Sequence, residues 1–146
     1  MGQTQLLLIV VGLVIICIAV VIGFTMMSDN ASSANRDAVQ LDLVNLASRA
    51  QEFYRRPKNL NGGGKAFAGL EPDLPGIQKL VRTAVYPMEN ANGTYKILTA
   101  GDVTRVVLQG IGNEIGRDGK SKVVVTMDVY VGSFSIRTTG GAAVVN

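Results

Sequence analysis

From Leu6 to Met27 the chain carries no charged residue and almost nothing polar; the first charged side chain is Asp29. A helix of that length spans about 33 Å at about 1.5 Å per residue, close to the roughly 30 Å hydrocarbon thickness of a bilayer. The run is apolar all round, so it has no solvent face of its own. Beyond it the pattern turns amphipathic. Val39, Leu43, Leu46, Ala50 and Phe53 recur at steps of four and three, which puts them on one helical face. Arg36, Asp37, Asp42, Arg49, Glu52, Arg55 and Arg56 fall mostly off that stripe. Strong helix formers dominate, the two closing arginines suit the negative end of a helix dipole, and Pro57 stops the helix. The pattern predicts one helix from about residue 3 to about residue 55, roughly 80 Å long. Ser28 to Ser33, Gly12 and Gly23 are its soft points, and the competing reading is two helices with a break near Asp29.

After Pro57 the helical period is lost. Asn59 to Gly64 reads as a flexible connector; it fails as a phosphate-binding loop, because Asn59 stands where a glycine is needed and Ala66 follows Lys65 where Ser or Thr is needed. Residues 66–92 hold Pro72, Pro75 and Pro87 and predict an irregular stretch with one short helix at Ile77 to Thr83. The period then changes to two. Strands are predicted at Thr94 to Thr99, Val103 to Ile111, Lys122 to Val131 and Phe134 to Thr139, separated by Gly- and Asp-containing turns. Val123, Val125, Met127, Val129 and Val131 share one face of the third, and Phe134 and Ile136 one face of the fourth. Short connections make neighbours antiparallel. The expected fold class is α+β: a long N-terminal helix packed on a four-stranded antiparallel β-meander. Its parts are an apolar helix over 1–28, an amphipathic continuation over 29–56, an αβ-loop over 57–93, and the sheet with a C-terminal tail over 94–146.

Composition removes several functions. Among 146 residues there is no His and one Cys, Cys17, which lies inside the apolar run. The commonest general base and metal ligand is therefore missing. No nucleophile motif, metal-spaced ligand set or convincing carboxylate pair appears, so no catalytic, cofactor-binding or metal site is expected. Asp73, Asp102, Glu114, Asp118 and Asp128 are expected to be solvated surface charge. The net charge is +3 with Lys and Arg scattered and no aromatic interleaving, which argues against nucleic acid. The run lacks the basic flank and short apolar core of a secretory signal, and is read as a retained anchor.

The sheet's apolar face needs a cover, and the stripe Val39, Leu43, Leu46, Ala50 and Phe53 is the long amphipathic element able to supply it. Its large side chains contribute about 1.5–3 kcal/mol each on burial. The first half of the helix then has no partner within its own chain. Its homes are lipid or a bundle of identical helices, and Gly12, Cys17, Ala19 and Gly23 allow close helix approach. A head-to-tail arrangement that never closes is a filament. The packing residues of its core would be Leu6, Leu7, Leu8, Ile9, Val10, Leu13, Ile16, Val20 and Phe24.

A short polar tip, a long apolar helix, its amphipathic continuation, an αβ-loop and an antiparallel meander together resemble a type IV pilin or pseudopilin. The resemblance covers the whole chain in architecture and mainly residues 1–56 in motif. It implies a filament subunit with a helical core and outer globular domains, at the cell surface, held in the cytoplasmic or inner membrane before assembly. The implied partners are further copies of the chain, that membrane, and a pilus assembly machinery. The alternative is a single-pass, membrane-anchored accessory pseudopilin or partner-binding domain. The chain departs from the family where that family carries a glutamate near its mature start: Gln5 or Leu7 stands there. It also has no proline within the apolar helix. Two Asn-x-Ser/Thr sequons, at Asn92 and Asn30, are possible glycosylation sites, with Asn92 expected to be the more exposed. The tail Gly140 to Asn146 is small and apolar, and the two readings of it are disorder and packing against a neighbouring subunit.

Overall fold

The structure is a computed structural model and describes residues 2–116 and 118–139. One helix, α1 (Gly2–Arg55), runs unbroken through the Ser-rich stretch at 28–33. A 3-10 turn (Lys58–Leu60) and a short helix, α2 (Leu74–Gln78), follow. Five strands follow among the described residues: β1 (Met88–Glu89), β2 (Gly93–Thr99), β3 (Arg105–Ile115), β4 (Lys122–Tyr130) and β5 (Phe134–Thr139). They pair antiparallel in chain order, so the sheet is a simple meander.

The second half of α1 lies across β3 and β4. Val39, Leu43, Leu46, Ala50 and Phe53 are all buried there, with Ala47 alongside. They meet Tyr95, Ile97, Val106, Leu108, Val123, Val125, Met127 and Val129 from the sheet, Phe67 and Leu70 from the loop and Ile77 from α2 in one core. Gly110 and Gly112 let the helix come this close. A Cβ on Gly110 would lie 2.6 Å from Val39 Cγ1, and one on Gly112 would lie 2.0 Å from Asn35 Oδ1.

The sheet differs from the predicted one in several places. It has five strands, because the two-residue β1 pairs Met88 with Tyr95 and Glu89 with Thr94. Two residues carry no readable alternation. Strand β3 begins at Arg105 instead of Val103, since the Asp102 carboxylate accepts from the Thr104 and Arg105 amides, both at 2.6 Å, and closes a turn there. It continues past Ile111 through an irregularity and pairs Ile115 with Lys122. Val131 leaves β4 for the turn to β5, which the Tyr130 amide closes by donating to the Ser133 carbonyl at 2.8 Å. Helix α2 starts at Leu74, earlier than expected, because Asp73 caps it by accepting from the Gly76 amide at 2.7 Å and Pro75 sits in its first turn. The tail 140–146 lies outside the described residues.

Candidate functional site: the uncovered half of the long helix

Among the described residues nothing covers the first half of α1. Leu6 is 66% exposed, Ile9 71%, Leu13 62% and Phe24 72%, against 0% for Val39, Leu43 and Ala50 on the same helix. Leu7, Leu8, Val10, Ile16 and Val20 are exposed as well, and so is Cys17. The segment is long and apolar enough to cross a membrane, and none of its most apolar stretch is buried. The first buried residue along α1 is Ser32. A monomer in water would thus expose a contiguous apolar surface far above the few hundred Å² that soluble monomers ordinarily tolerate.

Three small residues of this half are aligned, and Cys17 falls off their line. At about 100° per residue, Gly12, Ala19 and Gly23 share one azimuth, opposite the Val39–Phe53 stripe that holds the head. A Cβ built on Gly12 or Gly23 meets nothing within 4 Å. Intrachain packing therefore does not require glycine at either position, although glycine costs a helix about 1 kcal/mol relative to alanine.

The second half of α1 is fastened to the head by polar groups as well as by its apolar stripe. Asp42 Oδ2 accepts from Asn90 Nδ2 at 2.8 Å, Asn92 Nδ2 at 2.8 Å and Tyr95 Oη at 2.6 Å. Burial pushes the Asp42 carboxyl up, but the hydrogen bonds from Asn92, Tyr95 and Asn90 outweigh it and leave it below the usual range. Burial, then the hydrogen bond and charge of Asp42, push the Tyr95 phenol well above its ordinary value. Asn35 donates to the Asn92 carbonyl at 2.8 Å and accepts from the Glu114 amide at 3.3 Å. Gln51 donates to the Tyr130 carbonyl at 3.1 Å, and Arg49 to the Leu80 carbonyl at 3.3 Å. The head is held along α1 from Asn35 to Gln51, so the bare half projects from a fixed base.

Reading the sequence alone did not single out Asn35, Gln51 or Tyr95 for this role. A polar residue beside an apolar stripe gives no local sign that its partner lies many residues away. Of the two sequons, Asn30 lies exposed on α1, whereas Asn92 is half-buried with its amide engaged by Asp42. This reverses the expected order of exposure.

Asp128 corrects the reading of the acidic residues. It is 4% exposed, and Arg137 Nη2 lies 2.6 Å from its Oδ2 and Arg105 Nη1 3.8 Å from its Oδ1. It therefore clamps β3, β4 and β5 together instead of facing solvent. Asp73, Asp102 and Asp118 serve as caps and turn closers, the last accepting from the Lys120 and Ser121 amides at 3.0 Å each. Among the described residues no group of three or more His, Cys, Asp or Glu is placed to hold a metal ion. No protein-family model matches the chain, and neither a curated protein nor a solved structure matches it.

Proposed function

We propose that this chain is the structural subunit of a filament of the type IV pilus kind, polymerising through the apolar half of α1. One observation carries the reading: an apolar helical rod of about 33 Å stands bare on a well-packed head, with its large apolar side chains from Leu6 to Phe24 exposed. Burial at about 25 cal/mol per Å² makes that surface a strong drive for association. Parallel packing of identical rods, with the heads outside, shelters every rod and leaves the polymer open-ended. Before assembly the same rod is held in a membrane. The smallness of Gly12, Ala19 and Gly23 supports close approach of neighbouring rods.

A single-pass anchored accessory protein is the second reading, favoured by the fact that one such helix suffices to span a bilayer. Electron microscopy of detergent-free material separates the two. Fibres are expected from the wild-type chain, and Gly12→Arg is expected to abolish them, because the guanidinium would enter a water-free core. Detergent-free wild-type material without fibres, or fibres of normal abundance from Gly12→Arg, would overturn the filament reading.

A further inference from the structure

We infer that neighbouring copies in the polymer are held in axial register by an ion pair between Asp37 of one copy and Arg55 of the next. The inference rests on the filament reading above and deepens it. Asp37 and Arg55 both lie on the face of α1 opposite the head. They are 18 residues apart, or about five turns and about 27 Å, so they share an azimuth. Asp37 is 67% exposed, and its contact is with its chain neighbour Arg36 at 3.4 Å, itself at the surface. Arg55 is exposed and makes no ion pair or side-chain hydrogen bond among the described residues. Each helix thus presents an acid low and a base high on one line, which is complementary to a copy of itself displaced along the axis and to nothing among the described residues of its own head.

Two further matches fall at the same displacement. It sets Asn30 of one copy level with Ser48 of another, pairing polar with polar. It also sets Leu41, a large apolar side chain left 63% exposed on that face, level with Gly23, where a Cβ would find open space. A shift of about 27 Å is shorter than the rod of about 33 Å. The displacement that pairs the charges therefore still leaves the two rods overlapping along part of their length. With the heads outside, these faces point toward the filament axis and converge there, which is where an ion pair between copies is reachable. Such a pair fixes register where the apolar rods, free to slide, do not.

The test is charge reversal in the full-length chain, read as sedimentable fibre yield. Asp37→Arg and Arg55→Asp are each expected to lower the yield about tenfold or more, since like charges then face each other. The double reversal is expected to restore it. Circular dichroism of the detergent-solubilised variants checks that the head is intact. As a second measurement, in a Cys17→Ser background the Asp37→Cys, Arg55→Cys chain should oxidise within wild-type-like fibres to a ladder of covalent multimers. Single reversals that assemble as well as wild type, a double reversal that fails to recover, or oxidised fibres without a ladder would each overturn the contact while leaving the filament reading in place. A wild-type chain that makes no fibres would overturn both.

Discussion

The two halves of α1 obey the same helical geometry and live in opposite surroundings. From Val39 to Phe53 one stripe is apolar, the rest is polar, and the stripe is sealed against β3 and β4. From Leu6 to Met27 the whole circumference is apolar and the described residues of the head supply no cover. The outer half is covered by its own chain; the inner half is left bare by the described residues. A helix that changes from partly to wholly apolar along its length marks where its packing against the head ends, and on the proposed reading where association begins.

Truncating one buried and one bare leucine breaks the comparison most strongly. Leu43→Ala is expected to lower the stability of the head by about 2–5 kcal/mol, because it leaves a cavity under α1. Leu13→Ala should leave the melting of the head unchanged and instead reduce fibre yield. Thermal unfolding followed by near-ultraviolet circular dichroism separates the two, and equal losses in melting temperature would contradict the division.

Gly110→Ala comes next. Its Cβ would press on Val39 Cγ1 at 2.6 Å and on the Tyr95 ring at 3.1 Å, so α1 must lift from the sheet. A loss of about 1–3 kcal/mol is expected in a denaturant titration.

Tyr95→Phe probes the polar fastening. Removing a hydrogen bond to a carboxylate costs about 1.5–3 kcal/mol. The loss should fall at the lower end, since Asn90 and Asn92 still donate to Asp42. The folded Asp42 carboxyl lies below its ordinary value, so its contribution is complete above about pH 4, where the unfolded carboxyl is ionised, and is lost as the pH falls through the lowered folded value. Tyr95→Phe withdraws one lowering hydrogen bond and should move that loss to higher pH, as a carboxyl titration by NMR would show.

The smallest effect sharpens the contrast by changing sign. Gly23→Ala should stabilise the isolated helix by up to about 1 kcal/mol and yet weaken assembly, because the added methyl meets nothing within 4 Å among the described residues and is expected to meet a neighbour. Helicity in detergent and fibre yield should therefore move in opposite directions.

Much of this was legible in the sequence because it follows local periodicity. The steps between Val39 and Phe53 placed the buried stripe, and the alternation from Lys122 placed β4. What was hidden depends on distant partners. Gly110 and Gly112 look like strand breakers, and only the approach of α1 explains them inside β3. Asp128 reads as surface charge until Arg105 and Arg137 arrive from the neighbouring strands. Asn92 reads as an exposed sequon until Asp42 is found against its amide. The bare half of α1 was visible from its lack of charge, whereas the alignment of Gly12, Ala19 and Gly23 opposite the head needed the unbroken helix to fix their common azimuth.

Cys17, set in the bare half and the single cysteine of the chain, reports directly on whether copies of the same helix shelter one another. Detergent-free wild-type material would be treated with a water-soluble thiol reagent, and the labelled fraction measured beside particle size. Multi-copy fibres whose Cys17 reacts only after denaturation are the predicted result. Cys17 that reacts in such material as fast as in the denatured chain, or that is protected in particles holding a single copy, would contradict the account.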